Sequence, residues 1–275
     1  MPRRPEPATT GGPWTRSRLL AVLVAVSVGA AAALLGVAIL IVQSARPAAS
    51  VGDSTPPGGG LGALSPASAR DRIAAAPMPS LDPAAATRPD PALTPAPAIH
   101  LPYAVEGRGP ADVQVYGHTP EGAVAQLAAI DVAVLQAMDL GYTGQVHQAW
   151  VLPGGPALGQ WDDAINVAAF LRGAHQTSAK DTDTTVTVAP VGGLVKGTDG
   201  PDWVLACVLL DVHATIQAEY RMGWGHCARM QWSDNRWQIA PGSPPAEAPS
   251  AWPGSTAAIA AGWLRWDSPE QEPVR

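Results

Sequence analysis

The longest apolar run of the chain spans residues 19–42 and contains no charged side chain. As a helix that rises about 1.5 Å per residue it would measure about 36 Å, enough to cross the roughly 30 Å apolar core of a bilayer. The pattern therefore predicts a transmembrane helix. A cleaved secretory signal peptide is the alternative, although its apolar core is usually about 7–15 residues long.

Arginines are distributed unequally around this run. Several precede it, whereas only one follows closely: Arg3, Arg4, Arg16 and Arg18 on the N-terminal side, and Arg46 on the other. Positively charged flanks of a membrane helix remain in the cytoplasm. We therefore expect a cytoplasmic tail at residues 1–18, a single-pass anchor in the cell membrane, and an extracytoplasmic C-terminal part.

Proline, alanine and glycine dominate residues 43–110, where large apolar side chains are sparse. Frequent prolines disfavour both helix and sheet, so this composition predicts a disordered linker that holds a folded domain away from the membrane. A short helix at residues 68–76 is a weaker alternative. The folded domain is expected at residues 111–267, followed by a short tail at residues 268–275.

Apolar residues at helical spacing predict two helices in the first half of this domain. Thr119 suits the N-cap and Pro120 the first turn of the first helix, which should end near Asp139. The second helix should run from Leu158 to Arg172. Its apolar face is expected to consist of Leu158, Trp161, Ile165, Ala168 and Ala169.

From residue 185 the apolar period changes to two, which is typical of β-strands. In residues 203–216 every even position is apolar, and the same parity recurs in residues 219–232. This predicts an antiparallel pair with its even-numbered face on the core and its odd-numbered face toward solvent. Asp234 and Asn235 suit a tight turn that returns the chain opposite the second strand.

One register of this strand pair places Cys207 opposite Cys227. The same register pairs Val208 with His226 on the inner face. Cysteines directly opposite each other on one face of an antiparallel pair lie within disulfide reach, and an extracytoplasmic location permits their oxidation. We therefore predict a Cys207–Cys227 disulfide; two separately buried thiols are the alternative.

After the last hairpin, Ser255 can cap a short C-terminal helix. Ile259, Trp263 and Trp266 would share one face of that helix. We expect the helix to pack on the domain. A sharper hypothesis makes Trp263 and Trp266 a contact surface for a partner protein.

Few side chains of the predicted core could carry chemistry. Asp131 and His226 are the titratable residues that fall on predicted inner faces, where they could form a buried acid–base pair or be structural groups of the core. Asp162 and Asp163 lie in the early turns of the second helix, where the helix dipole favours carboxylates; a metal site or an acid–base pair is the alternative.

The absence of known catalytic motifs and the net charge of the chain exclude further functional classes. The chain contains no HExxH, GxSxG or phosphate-binding loop motif, so we predict no enzymatic activity, no catalytic, cofactor-binding or metal-binding residues, and no cofactor. The net charge is −6 and there are only two lysines, Lys180 and Lys196. Without a basic stripe, direct nucleic-acid binding is not expected.

The predicted order of elements, two helices followed by a bent antiparallel meander, indicates an α+β domain of the NTF2-like type, in which helices pack on a bent sheet to form a cone. Two local strings, GHTPEGA at residues 117–123 and RMQW to RWQIAP within residues 229–241, resemble membrane-anchored proteins of actinobacterial integrative and conjugative elements. The resemblance covers about residues 117–242. It implies a relation to TcpC-like conjugation proteins and to NTF2-like inner-membrane scaffold subunits of type IV secretion, and it assigns no functional residues.

The resemblance implies a non-enzymatic, membrane-anchored assembly component of a conjugative DNA-transfer apparatus that is similar to type IV secretion. Its partners would be the lipid bilayer, other envelope or conjugation proteins and, as one option, further copies of the chain. Two alternatives come from other functional classes. One is an extracytoplasmic NTF2-like domain that binds a small solute, and the less favoured one is a cone-type enzyme that uses Asp131 and His226.

Overall fold

The computed structural model describes residues 66–269, except for the side chains of residues 66–68 and Glu106. The helices are α1 (Pro66–Ala75), α2 (Pro120–Ala137), α3 (Leu140–Trp150), α4 (Asp162–Gly173) and α5 (Thr256–Ala260). The strands are β1 (Ala98–His100), β2 (Ala104–Arg108), β3 (Gln114–Tyr116), β4 (Thr185–Thr198), β5 (Trp203–Thr215), β6 (Glu219–Ser233), β7 (Arg236–Ile239) and β8 (Leu264–Asp267).

The predicted membrane helix at residues 19–42 and the predicted cytoplasmic tail lie outside the described residues. Within residues 66–269, no helix is both long and apolar enough to cross a bilayer.

Six strands form one mixed sheet in the order β1-β8-β4-β5-β6-β7, and β2 and β3 form a separate antiparallel pair. Strand β1 runs parallel to β8, whereas the other pairs of the large sheet are antiparallel. Helices α2, α3 and α4 contribute buried side chains to the same core as the inner face of this sheet. The prediction of an α+β domain is confirmed.

The register of the central strand pair is the one that the sequence predicts. Cys207 lies opposite Cys227, Val208 opposite His226, and the two sulfur atoms form a disulfide. The hairpin after β6 turns at Asp234 and Asn235, which both have positive φ. The apolar residues at even-numbered positions and the Asp234–Asn235 turn are together sufficient to predict these pairings. A shift of one residue would turn every inner side chain outward.

The first helix begins as predicted but gives way to a helix that the sequence analysis missed. Thr119 Oγ1 accepts a hydrogen bond from the Gly122 amide at 2.9 Å, and α2 ends at Ala137, before Met138, whose φ of 44° is left-handed. Asp139 then caps α3 by accepting from the Tyr142 amide at 2.8 Å. The sequence pattern predicts only the end of α2 near Asp139, whereas this aspartate also begins the next helix.

The helix predicted at residues 158–172 starts later and turns a different face inward. It begins at Asp162, after a separate 3₁₀ turn at Leu158–Gln160. The predicted face is wrong in part, since Leu158 is exposed and Ile165 and Ala168 are only half-buried. The buried residues of the helix are Asp163, Ala164, Val167, Ala169 and Leu171.

The predicted linker is too long, because residues 66–110 include elements that pack on the domain. Helix α1 contributes the fully buried Ala74, and Ile99 of β1 is 6 % exposed in the main core. Strand β1 pairs with β8 at the edge of the large sheet. The stretch contains few large apolar residues, but its small alanines fit against the sheet and its backbone supplies hydrogen bonds.

The odd-numbered face of β5 is buried over residues 203–209 instead of solvent-exposed. Trp203, Leu205, Cys207 and Leu209 are each at most 2 % exposed. Cys207 and Leu209 belong to a second apolar cluster with Ala248, Ala251 and Trp263. Strand β5 is therefore covered on both faces over residues 203–209, where the prediction of a half-buried strand is wrong, whereas Asp211 and His213 are half-buried and Thr215 is exposed. The alternation of residue types along β5 therefore reflects two apolar clusters, the main core on its even-numbered face and the second cluster on its odd-numbered face.

A C-terminal segment, here called the strap (residues 244–254), covers this outer face. The Ala246 amide donates to the carbonyl of Ala74 at 2.8 Å, and the Gly225 amide donates to Ser250 Oγ at 3.1 Å. Arg229, 5 % exposed on the same face of β6, donates to Asp71 of α1 at 2.7 Å. Backbone and charged contacts thus hold α1 and the strap against the sheet.

Gly223 permits the closest approach of the strap, because a Cβ at this position would lie 1.8 Å from the carbonyl oxygen of Ala251. We expect Gly223→Ala to destabilise the domain by about 1–3 kcal/mol, since a backbone atom has to move away. Thermal melting together with proteolysis of the strap measures this. Gly159→Ala is the control, because a Cβ there has no neighbour within 4 Å. Equal melting temperatures for both variants would contradict the proposed contact.

The predicted C-terminal helix is shorter than expected. Ser255 Oγ accepts from the Ala258 amide at 3.0 Å and caps α5, but the helix ends at Ala260. Trp263 lies beyond it, 3 % exposed, with its indole N–H donating to Pro249 at 2.9 Å. Trp266 is on β8 and packs against the main core. The two tryptophans therefore share no exposed helical face, and Trp263 is not available as a contact surface.

Candidate functional site: a buried Asp–His–Asp cluster

Three titratable side chains meet between the helices and the inner face of the sheet. Asp131 lies in the second half of α2, His226 in the middle of β6, and Asp163 in the first turn of α4. Asp131 and Asp163 are fully buried and His226 is 6 % exposed. The structure thus brings together the predicted pair, Asp131 and His226, and adds a third member.

The imidazole ring is fixed on several sides. Its Nδ1 lies 2.9 Å from Asp131 Oδ2, within hydrogen-bond distance. The Trp224 ring stacks on it with centroids 5.0 Å apart. Its Nε2 lies 3.9 Å from Asp162 Oδ2, and the Asp162 side chain is 66 % exposed. One nitrogen therefore faces the buried carboxylate and the other faces the side of the cluster nearer to solvent.

Several carboxyl oxygens of the cluster lack a hydrogen-bond donor. These are Asp131 Oδ1 and both oxygens of Asp163. Ionised carboxylates only accept hydrogen bonds, so the two aspartates cannot satisfy each other unless one holds a proton. Unpaired buried charge is costly, and this arrangement requires a cation or a proton as compensation.

The local electrostatics shift two of these groups. Burial, followed by the negative charge of Asp131, raises the pKa of Asp163 well above its usual value. Burial lowers the pKa of His226, but the Asp131 carboxylate and its hydrogen bond outweigh this effect and raise the pKa to about 10. At neutral pH and without a metal, His226 is therefore an imidazolium, and burial beside Asp131 favours the protonated form of Asp163.

This arrangement is compatible with three kinds of chemistry. The Asp131–His226 contact can be a structural ion pair of the core. It can also orient an imidazole whose second nitrogen transfers protons, as in acid–base catalysis. Finally, ligand atoms of Asp131, Asp163 and His226 all lie within 4.8 Å of one another, which suits a metal ion.

Sequence reasoning assigned Asp163 to the chemistry of the helix N-terminus and missed its place in the cluster. The position is in the first turn of α4, as that interpretation requires. A signal was nevertheless present, because Asp163, Val167 and Leu171 are spaced four residues apart and form one stripe of a helix. An acidic residue on the apolar stripe indicates a buried carboxylate.

A separate groove of about 470 Å³ lies beside α2, away from the cluster. Residues of α2, α3, the β2–β3 pair, β4 and β8 line it, among them Arg108, Tyr116, Gln136, Tyr142 and Trp266. None of the three cluster residues lines this groove. The cluster and the groove are therefore two different features.

The fold and the site together define an α+β protein with a mixed six-stranded sheet and a buried Asp–His–Asp cluster. No family model, curated protein or solved structure matches the chain. The function proposed below is therefore inferred from the residues and geometry of this chain.

Proposed function

We propose that the chain is a membrane-anchored structural component of a conjugative DNA-transfer apparatus similar to type IV secretion. Its extracytoplasmic domain would be an NTF2-like cone that acts by contact with envelope or conjugation proteins, or with other copies of the chain. Catalytic turnover has no part in this proposal.

The observation that carries the proposal is the filling of the inner face of the sheet. Trp150, Trp237 and Met230 are completely buried in the main core. The indole N–H groups of Trp150 and Trp237 donate to backbone carbonyls of Pro110 and Gly117, at 3.1 and 3.0 Å. A core packed with anchored aromatic side chains favours a rigid contact module over a wet reaction chamber.

Two features of the sequence support the cellular setting. The apolar run at residues 19–42 and the arginines before it favour an anchor with the domain outside the cytoplasm. The strings at residues 117–123 and 229–241 provide the resemblance to conjugation proteins. The domain would then be tethered at the membrane, where envelope partners assemble.

A cone-type enzyme is the second candidate, and the cluster favours it. Asp131 holds one nitrogen of His226 while the other faces the exposed Asp162. An imidazole so oriented can serve as a general acid or base. In that case the two conservative variants Asp131→Asn and His226→Gln would remove function without unfolding the domain.

We expect Asp131→Asn and His226→Gln to leave DNA transfer within about threefold of wild type wherever the variant still folds, because contact surfaces are unchanged. Their cost in stability should be a few kcal/mol at most, about the range of buried polar substitutions. The measurement is conjugation frequency from a host that carries each variant, beside its melting temperature.

Deleting residues 66–269 while keeping the membrane anchor is the control, and this deletion should abolish transfer. If the deletion left transfer unchanged, the conjugation role would be wrong. If a well-folded Asp131→Asn protein abolished transfer or turned over a substrate less efficiently than wild type, the enzyme reading would replace the contact function.

A further inference from the structure

The unpaired oxygens of the Asp–His–Asp cluster point to a ligand with positive charge. Asp163 is fully buried, and neither of its carboxyl oxygens has a hydrogen-bond partner; the same is true of Asp131 Oδ1. Both carboxylates face the same small volume as the His226 ring. We propose that Asp131, Asp163 and His226 bind a divalent transition-metal ion such as zinc.

The ligand types define the class of ion. Two carboxylates and one imidazole suit borderline ions such as zinc, iron or manganese, whereas calcium and magnesium favour sites made of oxygen ligands. Three protein ligands leave at least one coordination position for water. With a neutral imidazole, the two negative charges of the aspartates balance the two positive charges of the ion.

The spacing is near that of a metal site. The ligand atoms lie within 4.8 Å of one another. Ligands bound to zinc at about 2.0–2.2 Å lie roughly 3.4 Å apart, so no side chain would have to move inward by more than about 1 Å. Asp131 and Asp163 extend from two different helices, and rotation about their side-chain bonds allows such a movement.

An ion has a short route to the cluster. Asp162 precedes Asp163 in the same turn of α4, and its carboxylate lies 3.9 Å from His226 Nε2 while being 66 % exposed. A negative charge at this position attracts cations toward the buried ligands. The metal site goes beyond the proposed function, since a contact module requires no ion.

The test uses the full-length, untagged protein in detergent, freed of metal by a chelator. Zinc is titrated by calorimetry and by thermal melting, with manganese as a second probe. We expect one zinc ion per chain and a melting temperature raised by about 5–10 °C at a hundredfold excess of zinc over its dissociation constant. Absence of both effects for both ions would overturn the proposal and leave a shared proton as the compensation.

Variants locate the bound ion. Asp163→Asn and His226→Gln each remove one ligand and should weaken zinc binding by at least about 100-fold, more than the loss of an outer-shell partner. Asp183→Asn, an exposed aspartate distant in sequence from the cluster, is the matched control and should bind zinc like wild type. Binding that survives both ligand variants would identify an adventitious surface site and overturn the proposal.

Wild-type protein provides a measurement that does not depend on the folding of any variant. Loading with cobalt should produce visible absorption bands of a protein-bound ion, and zinc should displace them. A cobalt spectrum identical to that of the free aqueous ion would also overturn the proposal.

Discussion

Replacing His226 with alanine is expected to lower the free energy of unfolding of the metal-free protein by about 3–5 kcal/mol, the usual cost of breaking a buried ion pair. Asp131 and Asp163 are fully buried, and His226 is the cationic partner within 2.9 Å of Asp131. Without the imidazolium, the buried carboxyl groups lose their cationic partner. An uncompensated buried charge penalises the folded state.

Chemical denaturation in the presence of a chelator measures this effect. His100→Ala is the control, because the His100–Asp267 pair has a similar separation, 2.6 Å, but the histidine side chain is 81 % exposed. Solvent screens such a pair, and its loss should cost about 0–1 kcal/mol. If the two variants were equally stable, the buried pair would contribute no more than a surface pair.

A triple variant separates charge from packing. Asp131→Asn, Asp163→Asn and His226→Gln together remove every charge of the cluster at nearly constant volume. We expect this variant to be more stable than His226→Ala, because no uncompensated ion remains. A triple variant as unstable as His226→Ala would assign the loss to packing around Trp224.

The second large effect is expected at the Cys207–Cys227 disulfide, whose cysteines are 20 residues apart. By the loop-entropy estimate, a closed loop of this size contributes about 3 kcal/mol, chiefly by restricting the unfolded chain. Replacing both cysteines with alanine should therefore lower the free energy of unfolding by about that amount. Both side chains lie in the outer apolar cluster, so alanine leaves no buried polar group.

Mass spectrometry of non-reduced peptides tests the bond directly, and denaturation with and without reductant measures its contribution. Reductant should destabilise the wild type and leave the double-alanine variant unchanged, which makes that variant the control. Two free thiols in protein purified without reductant would contradict the disulfide.

Local rules predicted the parts of this fold in which neighbouring residues suffice. Thr119 and Pro120 mark the start of α2 because an N-cap and a first-turn proline act within one turn. Parity, the Asp234–Asn235 turn and the two cysteines together specified the β5–β6–β7 register. The alternation was clear because the residues of each face share one environment.

Contacts between distant parts of the chain were not predictable in this way. Strand β1 pairs with β8 although one is near the start and the other near the end of the described residues. No local pattern in three residues, Ala98–His100, indicates that partner. For the same reason the alternation predicts that the odd-numbered face of β5 meets water, whereas α1 and the strap cover it over residues 203–209.

The candidate site shows the same division. Helix and strand periodicity by themselves placed Asp131 and His226 on inner faces. They also predicted that Cys207 lies opposite Cys227 on the neighbouring strand. Only the tertiary structure decided that α4 would turn Asp163 inward and carry it to the same point, leaving Asp162 exposed. The physical reason is that periodicity defines which side of an element is apolar, whereas the distance between elements depends on how all of them pack.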